Sequence, residues 1–178
     1  MVTFILVLVL VIAVAALAGF VLGYNRLRAA DVRADEALGG IDVQLTRRAA
    51  LIPALVSTVQ GFASHEKAVL SHVADAQAAL TAATAGKSVA QRTSAEHQFD
   101  TAVRQVLALG QTYPQLNSSS NFLNLQHNLA DTEDKLAFAR QYYNDSAATV
   151  NRLRGTIPWM FVAGAAGVPE REFYKVPK

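Results

Sequence analysis

Four histidines, fourteen carboxylates and sixteen basic side chains are the groups in this 178-residue chain that could do chemistry, and it contains no cysteine. The missing thiols remove disulfides, thiolate zinc sites and a cysteine nucleophile, but leave the redox compartment open. His65, His72, His97 and His127 are spaced so that no two stand three or four residues apart on one helix. No Glu-x-x-His pair occurs either, and a di-iron helical site needs two of them facing inward. Solvated or capping roles suit these histidines better than metal ligation. Gly86-Lys87-Ser88 imitates the end of a phosphate-binding loop, but Thr81 stands where that loop needs glycine and no strand precedes it. Spacing gives no serine, histidine and acid triad. The expectation is a chain without catalytic residues, cofactor or metal, and not an enzyme.

Five charged residues are candidates for one polar network: Asp42, Arg47, Arg48, Glu133 and Arg140. Arg48 falls on an apolar seam, and a guanidinium taken out of water needs a carboxylate beside it. Counting along the helices at about 1.5 Å per residue brings Arg48 and Glu133 to one height, so they are expected to pair. Such a pair can fix helix register. Alternatively, Arg47, Arg48, Glu133 and Arg140 could hold a small anionic ligand between helices, which would make the chain a sensor or carrier.

The elements that position these residues follow from hydrophobic spacing. Val2 to Leu22 carries no charge and spans roughly 31 Å as a helix, the thickness of a bilayer's hydrocarbon core. It is longer than a signal peptide's apolar region and no basic residue precedes it, so it reads as a transmembrane anchor. Arg26, Arg28 and Arg33 follow it and favour a cytoplasmic soluble part.

From Leu27 a coiled-coil-like repeat places residues 27, 31, 34, 38, 41, 45, 48, 52, 55, 59 and 62 on one seam, with Pro53 expected to kink that helix without ending it. A second helix from about His65, capped by Ser64, runs to Ala85, with Val69, Val73, Ala76, Leu80 and Ala83 inward. Ser88 caps a third, whose seam is Ala95, Phe99, Ala102, Val106, Leu109 and Tyr113. The fourth keeps alternate steps of three and four from Phe122 to Leu153, then Gly155 and Pro158 close it.

The fold class expected is all-α: an N-terminal transmembrane helix at 1–24, an up-down antiparallel four-helix bundle with long first and fourth helices at 25–155, and an apolar tail at 156–178. Because the outer helices outrun the inner pair, a two-helix stalk is expected near the membrane. Its Leu27, Leu38, Tyr143, Val150 and Leu153 would keep apolar surface. Tyr142, Tyr143, Asn144, Val150, Trp159 and Phe161 are the candidate partner-binding residues, with Trp159 and Phe161 at headgroup depth or packed under the bundle. Net charge is only +2, without runs of like charge, so nucleic acid is not an expected partner. Membrane lipid, a second copy of the chain and a membrane protein are.

Three stretches, Ile41 to Val56, Gly61 to Glu66 and Glu133 to Asp145, together with Gly23-Tyr24-Asn25 and Tyr113-Pro114, resemble the LemA family. The resemblance implies a bacterial, membrane-anchored helical bundle with no established catalytic activity or cofactor, associated with membrane partners such as proteases. Some members resemble lipoproteins with a cysteine just before the Gly-Tyr-Asn, which implies an extracytoplasmic bundle; here that position is Leu22.

Overall fold

The computed structural model describes residues 1–86 and 88–175. Lys87 of the Gly86-Lys87-Ser88 stretch and the last three residues of the tail lie outside the described residues. The described chain is all-helical, without strands. In order the elements are α1 (Val2–Ala49), α2 (Ile52–Gln60), α3 (Lys67–Ala85), α4 (Val89–Thr112), α5 (Pro114–Asn117), α6 (Ser120–Gly155) and α7 (Met160–Ala166).

Seam positions drive the helices. Leu27, Asp31, Ala34, Leu38, Ile41, Leu45, Arg48, Ile52, Leu55 and Val59 are all buried. Phe62 is exposed instead, because α2 ends at Gln60 before that position. Ser88 accepts a hydrogen bond from the Gln91 backbone N–H at 3.2 Å and so starts α4. Ser64 caps nothing: α3 begins after Glu66, which makes no side-chain capping bond. That carboxylate accepts the Tyr113 hydroxyl at 2.9 Å. Chiefly through this hydrogen bond, Glu66 holds the phenol proton and raises the Tyr113 pKa.

Pro53 does more than kink the first helix. The α-helical hydrogen bonding is interrupted at Ala50 and Leu51, although Leu51 keeps right-handed helical dihedrals and its N–H turns to the Arg48 carbonyl at 3.2 Å. α2 restarts with the proline in its first turn, where no intrahelical N–H is required. The Ala49 carbonyl thereby loses the N–H it would have received from residue 53. Gln77 of α3 fills the gap, its Nε2 donating to that carbonyl at 3.0 Å. Replacing Gln77 by leucine should therefore destabilise the protein by about 1–3 kcal/mol, the usual cost of an orphaned buried carbonyl. In a Pro53→Ala background, where the helical bond can form, most of that loss should disappear. Urea melts of the four proteins check this, and equal losses in both backgrounds would refute it.

The chain divides into two compact units. The first comprises Met1–Ala37 and Tyr143–Phe173. Its α1 begins with an apolar stretch, mean hydropathy 3.3, that is exposed throughout and long enough to cross a membrane. Its core is Leu27 and Ala34 of α1, Val150 and Leu153 of α6, Ala163 and Ala166 of α7, and Val168. α7 ends at Gly167, whose φ of 61° a residue with a Cβ adopts only at a cost.

The second unit comprises Leu38–Tyr142 and the segment from Tyr174. Its buried residues come from α1, α2, α3, α4, α5 and α6, with Ala63 of the loop after α2 and Tyr174 of the C-terminal segment. α3 packs extensively along α4. Small side chains at Ala76 and Ala102 are buried, consistent with close helix approach.

Candidate functional site

Charged side chains inside the second unit are the concentration of chemistry in this fold. α4 supplies Arg92, Glu96 and Asp100, one helical turn apart and so on one face. α6 supplies Glu133 and Arg140, two turns apart, and α1 supplies Asp42 and Arg48. Arg92, Glu96, Arg48 and Arg140 are all buried.

Arg48 Nη1 donates to Asp100 at 2.5 Å and stands 2.8 Å from Glu133 Oε2, the latter an ion pair rather than a directed hydrogen bond. Its guanidinium lies 5.5 Å from the centre of the Phe99 ring, a cation–π distance. Arg140 donates to Glu133 Oε1 at 3.1 Å and to Glu96. Glu96 also accepts the hydroxyl of Tyr174 at 2.7 Å. Arg92 holds Asp42 through two parallel bonds of 2.6 and 2.8 Å, the fork geometry that suits guanidinium and carboxylate, and reaches the Thr84 carbonyl at 3.3 Å.

Burial raises the Glu96 carboxyl above the ordinary glutamate range, and Arg140 and Tyr174 only partly oppose it. Burial would lower the Arg140 pKa, but Glu96 and Glu133 outweigh it and raise it. Tyr174 is held protonated, by burial first and then by the charge of Glu96.

Of the five residues singled out in sequence, the structure brings Arg48, Glu133 and Arg140 together. Asp42 is bound to Arg92 instead. Arg47 is exposed and only 3.9 Å from Asp131, a loose surface pair. Sequence reasoning missed Arg92, Glu96, Asp100 and Tyr174. A signal for the first three was present: charges at steps of four beside the apolar seam at Ala95 and Phe99.

The candidate partner residues belong, except for Tyr142, to the first unit. Tyr143 and Val150 are buried. The two-helix stalk with an uncovered seam is thus corrected: α7 and the segment after it cover that seam. Asn151 exchanges two hydrogen bonds of 2.9 Å with the backbone of Arg171, and the Tyr143 hydroxyl donates to the Glu172 carbonyl at 2.8 Å. Arg171 grips Asp31 at 2.5 Å and Asp35 at 2.6 Å, giving the buried Asp31 of the seam its counter-charge. Asn144 and Trp159 are half-buried, while Tyr142 and Phe161 are exposed.

No group of three or more His, Asp or Glu among the described residues is placed to hold a metal ion. The network pairs each buried guanidinium with at least one carboxylate, which is the arrangement of a structural lock between helices.

The family model described as LemA family matches residues 37–178. Magnetosome protein MamQ of Magnetospirillum gryphiswaldense is 24% identical over 194 residues, covering 94% of this chain and 71% of that protein. Magnetosome proteins MamQ 2 and MamQ 1 of Paramagnetospirillum magneticum are each 27% identical over 81 residues, 46% of this chain and 30% of theirs. With the family pattern running through both the ion-pair network and the segment that covers the α6 seam, the chain belongs to the LemA family.

Proposed function

We propose that this chain is a single-pass, membrane-anchored helical scaffold or adaptor, which binds membrane-protein partners or further copies of itself and carries out no catalysis. The observation that carries the reading is the continuity of α1: one unbroken helix holds the exposed apolar stretch and the first unit's core residues Leu27 and Ala34. An anchor built that way leaves no flexible linker between membrane and folded chain, which suits a part that must present its surface in a fixed pose. The ion pairs joining α1 to α4, α1 to α6 and α4 to α6 support a four-helix bundle whose register the charges specify. Arg26, Arg28 and Arg33 support a cytoplasmic placement. The alternative, an anionic ligand around Arg47, Arg48, Glu133 and Arg140, gains little support. Arg48 and Arg140 already have carboxylates, although their Nε atoms lack acceptors among the described residues.

With Tyr143 and Val150 buried, the partner surface moves to exposed aromatics one turn apart on α6, Phe138 (77% exposed) and Tyr142 (55%). Large aromatic side chains in water at such spacing are anchors of the kind interfaces use. Purification of full-length protein from its membrane in mild detergent, with mass spectrometry of the complex, should give a foreign membrane protein in fixed ratio or a homogeneous oligomer. Phe138→Glu should dissolve either one without lowering the melting temperature. A monomer carrying nothing, or complexes indifferent to that change, would sink the scaffold reading.

A further inference from the structure

The first unit carries an apolar face that its core does not use. α7 turns Ala163 and Ala166 inward against α1 and α6, and its Val162 is buried as well. On and just before the same short helix, Ile157 (71% exposed), Met160 (46%) and Phe161 (74%) point outward. Three large apolar side chains within five residues are a patch, not the scattered singles of an ordinary surface.

The height of this patch along α1 is fixed by one close approach. A Cβ built on Gly23 would lie 2.4 and 2.5 Å from Cε3 and Cζ3 of Trp159, so the indole passes where any other residue would carry a side chain. Gly23 directly follows the last residue of the apolar stretch, Leu22. Trp159 also packs with Tyr24 on the first unit's core. Two amphipathic rings therefore sit where an apolar span gives way to polar residues, the level at which Trp and Tyr gather in membrane proteins.

Cationic groups gather at the same end. Arg26 and Arg28 are exposed on the first turns of α1 beyond the apolar stretch, and Arg152 is exposed in the last turn of α6, with Arg154 half-buried there. Packing of Leu153 into the cluster that contains Leu27 brings these two pairs to one end of the unit. Their carboxylate contacts are long, 3.8 Å from Arg28 to Asp31 and 3.8 Å from Arg154 to Glu170. Arg26 and Arg152 have no ion pair among the described residues.

We propose that α7 and the arginines Arg26, Arg28 and Arg152 form a seat for anionic phospholipid, with Ile157, Met160 and Phe161 entering the headgroup–acyl boundary and the guanidiniums meeting lipid phosphates. The proposal rests on the reading of α1 as a membrane span. It deepens that reading: the anchor is a helix plus an interfacial wedge that prefers one class of lipid.

Trp159 is the only tryptophan, so indole emission, excited where the five tyrosines do not absorb, reports on this site alone. The full-length chain is reconstituted into phosphatidylcholine vesicles containing phosphatidylglycerol, with bromine carried on one lipid or the other, near the glycerol or near the acyl end. Quenching is expected to be stronger from shallow bromines than deep ones, and stronger from brominated phosphatidylglycerol than from the same fraction of brominated phosphatidylcholine. Each of Arg26→Gln and Arg152→Gln should lower that lipid preference, by as much as roughly fivefold, the effect of one basic residue near an anionic surface. Ile157→Glu with Phe161→Glu should weaken shallow quenching while leaving the thermal melt unchanged, because both side chains face outward. Equal quenching by the two lipids, or quenching indifferent to all four substitutions, would overturn the proposal. Extraction at alkaline pH separates the two ideas. Release of the wild type from vesicles would overturn the span itself, whereas a retained chain with no lipid preference overturns only the seat.

Discussion

Replacing Arg140 by methionine is expected to cost about 3–5 kcal/mol, the penalty for stranding a buried charge, and adding Glu96→Gln should recover a large part of it. Glu96 is completely buried, and without Arg140 its remaining hydrogen bond is the one from Tyr174. Glu133, the other partner, is far more open and can hydrate itself. Glutamine keeps an acceptor oxygen for Tyr174 and carries no charge, so the double variant lacks the term that makes the single variant unstable. Denaturant unfolding of full-length protein in detergent, followed by circular dichroism, measures the cycle. Additive losses would show that Glu96 does not depend on Arg140.

The same carboxyl gives a pH dependence with a definite sign. Burial raises the Glu96 pKa in the folded chain above its unfolded value. An acid shifted upward favours folding most when protonated, so its contribution is fully present below the unfolded value of about 4.3 and is lost as pH rises through the folded one. The permanently neutral Glu96→Gln variant should therefore gain on the wild type as pH rises from about 4.3 through the raised folded-state pKa. A stability difference that stays flat across that window would mean Arg140 and Tyr174 fully offset the burial of the charge.

Much of this architecture was legible because helix cores repeat. Seam positions from Leu27 to Val59, and from Phe122 to Leu153 with the half-buried exception of Ala139, are buried as their spacing requires. Charges on a seam were legible as needing partners, and Arg48 does meet carboxylates. What periodicity cannot give is the identity of a partner far away in sequence. Asp31 is matched by Arg171, and Glu96 by Arg140 and Tyr174. Residues 168–175 have no helical or strand period, and they are held by individual hydrogen bonds and by Val168 and Tyr174, which no sequence pattern announces. Missing that segment is what made Tyr143 and Val150 look like free surface.

Val150→Asp turns that correction into a measurement. Were Val150 on an open seam, a carboxylate there would be solvated and the fold indifferent to it. In the structure Val150 is fully buried among Leu27, Leu153, Ala163, Ala166 and Val168. The substitution forfeits about 1.5–3 kcal/mol of apolar burial and also places an ionisable group where no cation of the cluster can meet it. Together these should exceed about 4 kcal/mol, a large share of the 5–15 kcal/mol that typically holds a domain folded. The expected result is loss of the packed tail, seen as rapid proteolysis after Gly155 and a red-shifted Trp159 emission. Stability should return as pH falls, because the introduced carboxyl has its pKa raised by burial and becomes tolerable once protonated. Phe161→Asp, on the outward face of α7, should do none of this in detergent. If Val150→Asp leaves proteolysis and emission unchanged, the tail does not cover α6, and the apolar seam is once more open to a partner.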